Sequence, residues 1–483
     1  MPEKQIKDIK VAVILDEFSY NCFKYEFNAI PFEPSNWLEI FEKENPDIFL
    51  CESAWHGIDT ETEPWKGLIA VDKNIATENK DVLIDILEYC NDKGIPSIFW
   101  NKEDPTDFYT FLDVALRFDH IFTTTEECIP KYNEHGHSSV HCLMFAGQPI
   151  LFNPIENQER SEEIVFPGSW YNRFPQRCNE MESIFDNIIS SGFVLKIYDR
   201  FYHSIYPAFK FPDKYSEFIN PAVPFNQIEK VYKESKYALN INTITNSNSM
   251  FSRRVFELML SNTLVLSNYS KGMCRIFGDN VVEIGKGKID LSNSDEKRIY
   301  NLYNVLRSHT YYNRFKKILD VINYEYILPN QSITIYYNIN DQAEIEDVFE
   351  HFNSIQYNNK KLVIILSKQI SDEINKINQS YEGYKVTFYS LKGLLNKNEV
   401  VSNETTYFIF ADLKLENDFV EKAILHYSYI KPKFGITLGD KFLYKISNNV
   451  TNVIFHNENF SNMLKKVLKG DGSDFSVYTI QIK

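Results

Sequence analysis

The sequence predicts an α/β fold: two Rossmann-like domains facing a cleft, followed by an additional C-terminal α/β domain. Three observations predict it. The chain has 483 residues, which at roughly 150 residues per domain is room for about three. Short runs rich in Val, Ile and Phe alternate with amphipathic stretches of helical period, the signature of parallel sheets built from strand–helix–strand units. The alternation restarts near residues 153 and 331, so the expected domains are 1–152, 153–330 and 331–483.

The first domain opens with a strand over 11–15 that runs into Asp16-Glu17. A helix over 35–42, a strand over 48–51, a helix over 81–91 and a strand over 97–100 follow, then helix 107–116, strand 119–123 and helix 126–132. Ligands of such sheets bind at the carboxyl ends of strands. Those ends carry Asp16, Glu17, Glu52, Trp55, Asn101, Glu103 and Asp104. In the second domain, strand 164–166 ends in Pro167-Gly168-Ser169 and leads to helix 176–190. Strand 194–198 ends in Asp199-Arg200, and strand 237–242 ends in a polar loop over 243–249. Helix 252–260, with Ser252 as its cap, strand 263–267 and one long helical stretch over 295–322 complete the domain. The third domain reads strand–helix–strand from Ser332, with a later strand over 406–410 and a helix over 417–427. The connection over 147–157 is the expected hinge between the first two.

Acidic residues outnumber basic ones 66 to 51, a net charge of −15. That balance argues against a nucleic-acid partner and allows at most peripheral membrane contact. No apolar run approaches the roughly 18 residues of a membrane span, and the opening apolar run is too short for a signal peptide. Seven scattered cysteines with no CxxC pair fit free thiols in a reducing, cytoplasmic setting. No Cys/His group has ligand spacing; His135, His137 and His141 sit in a Gly/Ser-containing connection, and no metal is expected. The Lys/Asn/Ile-rich composition points to a bacterial source with an AT-rich genome.

Only 11 of the 51 basic residues are arginine, none after Arg314. Arg173, Arg177, Arg200, Arg253 and Arg254 lie at strand edges or helix starts of the second domain. Guanidinium suits bidentate phosphate recognition, so an anionic ligand is expected there. Solvated helix ends and structural ion pairs are the competing account. The segment SRRVFELMLSNTLVLS places Glu257 mid-helix among apolar residues. A buried carboxylate costs several kcal/mol unless paired, so Glu257 serves either a ligand hydroxyl or Arg253 one turn earlier. The turn after the first strand lacks GxGxxG and carries two carboxylates, which disfavours a dinucleotide-dependent oxidoreductase.

The stretch ELMLSNTLVLS resembles the donor-site helix of two-Rossmann (GT-B) glycosyltransferases. More closely, the chain resembles the bacterial spore-maturation (CgeB-like) glycosyltransferases. The matching segments are ILDEFSY (14–20), ESAWHG (52–57), FWNKEDP (99–105), FDHIFTT (118–124), FPGSWYNRFPQR (166–177), IYDR (197–200) and SRRVFELML (252–260), in order over about residues 11–270. The resemblance implies that Glu257 binds the nucleotide ribose, while the partner glutamate of the family's E-x7-E pattern is replaced by Ser249. It implies that Gly168 and Ser169 form the turn that approaches a diphosphate, and that Arg173, Arg200, Arg253 and Arg254 neutralise it without a metal. Asp16, Glu52 and Asp104 then compete as catalytic carboxylates on the acceptor side, with Trp55 and Trp100 stacking on a sugar.

The C-terminal domain resembles a degenerate GT-A domain in which only Asp412 of the D-x-D pair survives, as Phe410-Ala411-Asp412. An inactive, structural or acceptor-docking role is expected of it. The function implied is a hexosyltransferase-type enzyme of polysaccharide biosynthesis. It moves a sugar from a nucleotide-sugar co-substrate to a cell-surface or spore glycan, a glycolipid or a protein; the resemblance leans toward retention. The alternative is a non-catalytic carbohydrate-binding or assembly scaffold derived from such an enzyme.

Overall fold

The central strands are apolar along their whole length because helices cover both faces of the sheets they build. In the computed structural model, which describes residues 3–70, 80–285, 287–390, 393–394, 405–469 and 473–483, the first half contains six of them. They are β1 (Lys10–Ile14), β2 (Asn28–Pro31), β3 (Ile48–Glu52), β4 (Ser97–Asn101), β5 (His120–Thr123) and β6 (Val140–Cys142), all parallel, in the order β2-β1-β3-β4-β5-β6. Between them run α1 (Glu17–Phe23), α2 (Trp37–Glu44), α3 (Asp81–Lys93), α4 (Phe108–Ala115) and α5 (Ile129–Glu134). Successive strand residues serve opposite faces. Ala12, Ile14, Phe49 and Phe99 pack on Leu83, Ile86 and Phe111, whereas Val11, Val13, Leu50 and Ile98 face Tyr311, Phe315 and Ile318.

The second half repeats the plan. Its strands β7 (Ser161–Gly168), β8 (Leu195–Asp199), β9 (Ile219–Asn220), β10 (Ser235–Asn240), β11 (Leu264–Ser267) and β12 (Val282–Glu283) are parallel in the order β9-β8-β7-β10-β11-β12. Its helices are α6 (Pro175–Ser190), α7 (Ile228–Lys233), α8 (Arg254–Leu260), α9 (Lys271–Phe277), α10 (Ser294–Ser308) and α11 (Tyr311–Val321). Strand order reverses between β1 and β3 and again between β7 and β10. The crevices outside those carboxyl ends are where ligands of such sheets bind.

The structure departs from two of the expected elements. The long helix over 295–322 is two helices, because the chain breaks at His309-Thr310 to cross back to the first half. Gly147 N donates to His309 O at 2.9 Å and Tyr311 N donates to Gly147 O at 3.1 Å, so the two crossings pair side by side. Thr310 then starts α11 with a capping box to Asn313. Helix α11 buries Tyr311, Phe315, Ile318 and Leu319 in the core of the first half, and the two halves form one compact unit, 1–153 with 158–328. Ser252, in turn, does not cap α8: the N-cap position is Arg253, with no side-chain cap bond.

The second unit comprises 154–157 and 329–483. Its strands β13 (Ile333–Ile339), β14 (Lys360–Leu366), β15 (Val386–Ser390), β16 (Tyr407–Ala411), β17 (Gly435–Leu438), β18 (Leu443–Ser447), β19 (Ile454–His456) and β20 (Phe475–Ile480) form a mixed sheet, β15-β14-β13-β16-β19-β17-β20-β18. The opening strand–helix–strand is β13, α12 (Glu344–Ser354) and β14, and β13 to β16 pair in parallel. Among the described residues, no helix is long and apolar enough to cross a membrane.

Candidate functional site

At the first switch point, β1 and β3 end side by side and their terminal carboxylates share one lysine. Lys102 Nζ donates to Asp16 Oδ2 at 2.7 Å and to Glu52 Oε1 at 2.9 Å. Asp16 Oδ1 also accepts the backbone N–H groups of His56 and Gly57, each at 3.0 Å, and Trp55 N lies 3.1 Å from both carboxylate oxygens. Burial works to raise Asp16, but Lys102 and these backbone donors outweigh it and hold the carboxyl below its ordinary value. Burial pushes fully enclosed Glu52 up, with Lys102 opposing. Asp16 is therefore the clasp that folds residues 55–57 over the strand ends.

The other first-half candidates separate. Asp104 does not face the cleft: it is fully buried, and its carboxylate accepts from Thr123 Oγ1 at 2.6 Å, Tyr132 OH at 3.0 Å and Asn101 Nδ2 at 3.0 Å. That network ties the ends of β4 and β5 to α5. Trp100 is likewise unable to stack on a sugar. It is 1% exposed, wedged edge-to-face against Phe23 and Phe145, with Nε1 donating to Leu143 O at 2.9 Å. Trp55 stays half-buried at the rim, edge-on to Phe111 at 5.2 Å. Beside it stands Glu103, half-buried, bonded to the Trp55 side chain and raised by burial against the pull of Lys102; the sequence marked it as a strand-end carboxylate and gave it no catalytic part.

At the second switch point, β7 ends in Gly168 and Ser169. A Cβ on Gly168 would lie 2.3 Å from the Phe166 ring two residues earlier, so glycine is required there by packing alone. Ser169 is 3% exposed and its hydroxyl has no hydrogen-bond partner among the described residues. The following loop turns on Tyr171. Its hydroxyl accepts from Arg200 at 2.9 Å, and the guanidinium carbons of Arg173 and Arg177 lie 5.9 and 5.8 Å from its ring. Arg173 and Arg200 are exposed, whereas Arg177, from the first turn of α6, is 8% exposed. Arg177 donates to Ser169 O at 3.1 Å, and no carboxylate pairs with it among the described residues. Burial lowers it to about 10, and the positive charge of Arg254 adds to that shift.

Helix α8 supplies the other wall. Glu257 is 2% exposed. Tyr232 OH donates to its Oε2 at 2.8 Å, and Arg253 Nε stands 3.4 Å from its Oε1. The Arg253 guanidinium also stacks on Phe18 of the first half, 3.1 Å from the ring centroid. Arg253 is thus engaged twice, while Arg254 has no ion-pair partner among the described residues. Ser249, at the position of the missing glutamate, joins the halves: its hydroxyl accepts from Glu126 N at 2.8 Å and donates to Thr124 O at 2.9 Å.

The arrangement brings together Ser169, Arg177, Arg254 and Glu257 in the second half. Asp16, Glu52, Lys102, Glu103 and Trp55 lie at the strand ends of the first. Two guanidiniums that act on one another with no carboxylate partner among the described residues are provision for an anion. In the second unit, Asp412 Oδ1 is taken by Asn452 Nδ2 at 2.8 Å and Lys414 N at 2.9 Å. Among the described residues, no three His, Cys, Asp or Glu side chains converge as a metal site.

Residues 195–320, from β8 into the last turn of α11, match the model of a family described as glycosyl transferase-like. No curated protein sequence matches the chain. Among solved structures it is similar to TarM of S. aureus, at 14% identity and a TM-score of 0.36, over 59% of this chain and 57% of TarM. It is also similar to phage T4 β-glucosyltransferase, at 10% identity and a TM-score of 0.36, over 65% of this chain and 97% of the other. Sucrose-phosphate synthase of Thermosynechococcus elongatus shows 9% identity and a TM-score of 0.37, over 60% and 76%.

Proposed function

We propose that the chain is a glycosyltransferase that binds a nucleoside-diphosphate sugar at the β7/β10 switch point. It transfers the sugar to a hydroxyl group held by the first half. The observation that carries this reading is the Arg177–Arg254 pair: Arg177, in the first turn of α6 after β7, is buried with no carboxylate partner among the described residues, and it feels the charge of Arg254, which has no ion-pair partner among them either, near the strand ends where such sheets hold a ligand. A diphosphate supplies the missing anion. In transfer, the bond from the sugar's anomeric carbon to the diphosphate oxygen breaks and a bond to the acceptor oxygen forms. Negative charge grows on the leaving diphosphate, where preorganised guanidinium donors stabilise it most.

Glu257, kept from solvent with Tyr232 on one oxygen, presents the other to the ribose hydroxyls. The guanidiniums do the work of a metal, and the reaction retains anomeric configuration. In that course the leaving oxygen itself takes the acceptor's proton. The geometry supports this, because Asp16 is committed to Lys102 and three backbone donors, and Glu52 and Asp104 are sealed in. The protein acts in the bacterial cytoplasm on a surface or spore glycan, glycolipid or protein, and its second unit plays a structural or docking part. The competing scaffold reading draws on Ser249, whose hydroxyl is spent on joining the halves.

The two separate in a thermal-shift series with UDP, GDP, ADP, CDP and TDP and their sugars, with and without EDTA. A nucleotide at 100 times its dissociation constant adds about 2.7 kcal/mol of stability. One selective, EDTA-insensitive rise in Tm is expected; no rise with any nucleotide leaves the scaffold, and a rise abolished by EDTA refutes the metal-free site.

A further inference from the structure

The first half holds a cavity of about 290 Å³ at the carboxyl ends of β1 and β2, directly before Asp16. Phe32 and Trp65, only 6% and 2% exposed, pack as its back wall, Tyr20 of α1 stands half-exposed at one side as the accessible ring, and Glu33, Asn36 and Asp59 make its polar rim. The wall is built in place. Trp65 Nε1 donates to Phe32 O at 3.2 Å, the two rings meet edge-to-face at 5.7 Å, and Trp65 N donates to His56 O at 3.0 Å. Gly57 turns the chain at φ +93°, and a Cβ there would stand 2.8 Å from Trp65 Cδ1. Asp16 grips the N–H groups of residues 55–57. The clasp at the switch point therefore also holds the cavity wall.

The rim states the chemistry. Asn36 Oδ1 is used by Glu33 N at 2.8 Å, which leaves its amide NH₂ as a donor. Asp59 Oδ1 accepts Glu61 N at 2.8 Å and Thr62 N at 3.2 Å, and the Thr62 side chain bonds the same carboxylate, which is exposed at the rim. Glu33 adds two more acceptor oxygens, and no lysine or arginine is among the described lining residues. Carboxylate acceptors and one amide donor beside the half-exposed Tyr20 ring match hydroxyl groups flanking an apolar C–H face. Two carboxylates at the mouth oppose any anion. The volume is at the low end for small-ligand sites, enough for one ring.

We propose that this cavity is the acceptor subsite and takes an uncharged sugar residue rather than a phosphate- or carboxylate-bearing one. The proposal rests on the transferase reading for the word acceptor, while the sugar specificity stands on the cavity alone.

The test is saturation-transfer NMR on the full chain with methyl glycosides of glucose, galactose, mannose and N-acetylglucosamine. Methyl glucuronide serves as the charged counterpart of the glucoside. At least one neutral glycoside is expected to bind, with its Kd raised about fivefold by Tyr20→Ala through loss of a ring contact. The glucuronide binds at least about tenfold more weakly than the glucoside, and Glu33→Lys reverses that preference. Absence of binding by every neutral glycoside, equal binding of the glucuronide, or a Kd unmoved by both substitutions overturns the proposal. The nucleotide series reads the other half independently. Nucleotide binding without glycoside binding sinks this subsite alone; glycoside binding here without any nucleotide binding sinks the transferase reading and leaves a sugar site.

Discussion

Replacing Arg177 with methionine should move stability and ligand binding in opposite directions. In the free protein the guanidinium is buried beside Arg254, and its pKa falls from 12.5 to about 10. A depression of that size corresponds to about 3 kcal/mol of unfavourable environment for the charge. Against it stand one hydrogen bond to Ser169 O and a cation–π contact with Tyr171, together about 1.5–2 kcal/mol. The unliganded Arg177→Met protein should therefore keep its Tm within about 2 °C of the parent or exceed it. With a diphosphate bound, the same change removes charge-assisted hydrogen bonds worth about 3 kcal/mol, a loss of roughly 100-fold in affinity. Thermal unfolding without nucleotide and calorimetric titration with the nucleotide that gives the largest shift provide the two readings. A Tm fall of more than about 6 °C together with unchanged affinity would refute the reasoning, because Arg177 would then be an ordinary structural residue whose charge is satisfied within the fold.

Three other outcomes follow from particular contacts. Gly147→Ala places a Cβ 2.3 Å from Leu260 Cδ1 where the two crossings pair; overpacking of this kind costs about 1–3 kcal/mol, and an unchanged denaturation midpoint would contradict the account of the crossing. Burial raises Asp104 and Glu26 to about 7, so between about pH 4 and 7 these two groups hold more protons in the folded chain than in the unfolded one, and it is their contribution that changes with pH. That contribution should fall as pH rises through that window, by up to about 1.4 kcal/mol per pH unit per group. Urea melts across the window should show the parent losing stability relative to Asp104→Asn as pH rises; a difference that stays constant across the window would be against it. Glu103→Gln distinguishes the reaction courses: in a retaining transfer kcat falls less than about tenfold, whereas a loss of 10²–10⁴-fold with a shifted pH profile would make Glu103 the base of an inverting one.

Element by element, the alternation of apolar strands with helices was legible because parallel strands covered on both faces are written as unbroken apolar runs. For the same reason the facing of Trp100 was not legible: every residue of β4 is buried, so the sequence carries no alternation to say which side the indole takes. The break at His309-Thr310 was hidden because Arg307 to Thr310 contains neither glycine nor proline; the break is imposed by Gly147, far away in the chain. Gly168, Ser169 and Glu257 were read from local motifs and do lie at or beside the second switch point. Arg177 was seen only as one arginine among five, since nothing local distinguishes a guanidinium that ends up buried from one that stays solvated. Asp16 looked like a base because its partners, Trp55 to Gly57 and Lys102, are 39 to 86 residues distant and only the fold assembles them.

The central claim is tested most directly by a crystal structure of the chain with the nucleoside diphosphate selected in the thermal-shift series. The account predicts the diphosphate within about 3 Å of the guanidinium nitrogens of Arg177 and Arg254, the Ser169 hydroxyl turned to a phosphate oxygen, and the ribose hydroxyls on Glu257. A nucleotide seated elsewhere, whether beside Asp412 or on the exposed Arg173 and Arg200 with Arg177 untouched, would contradict it.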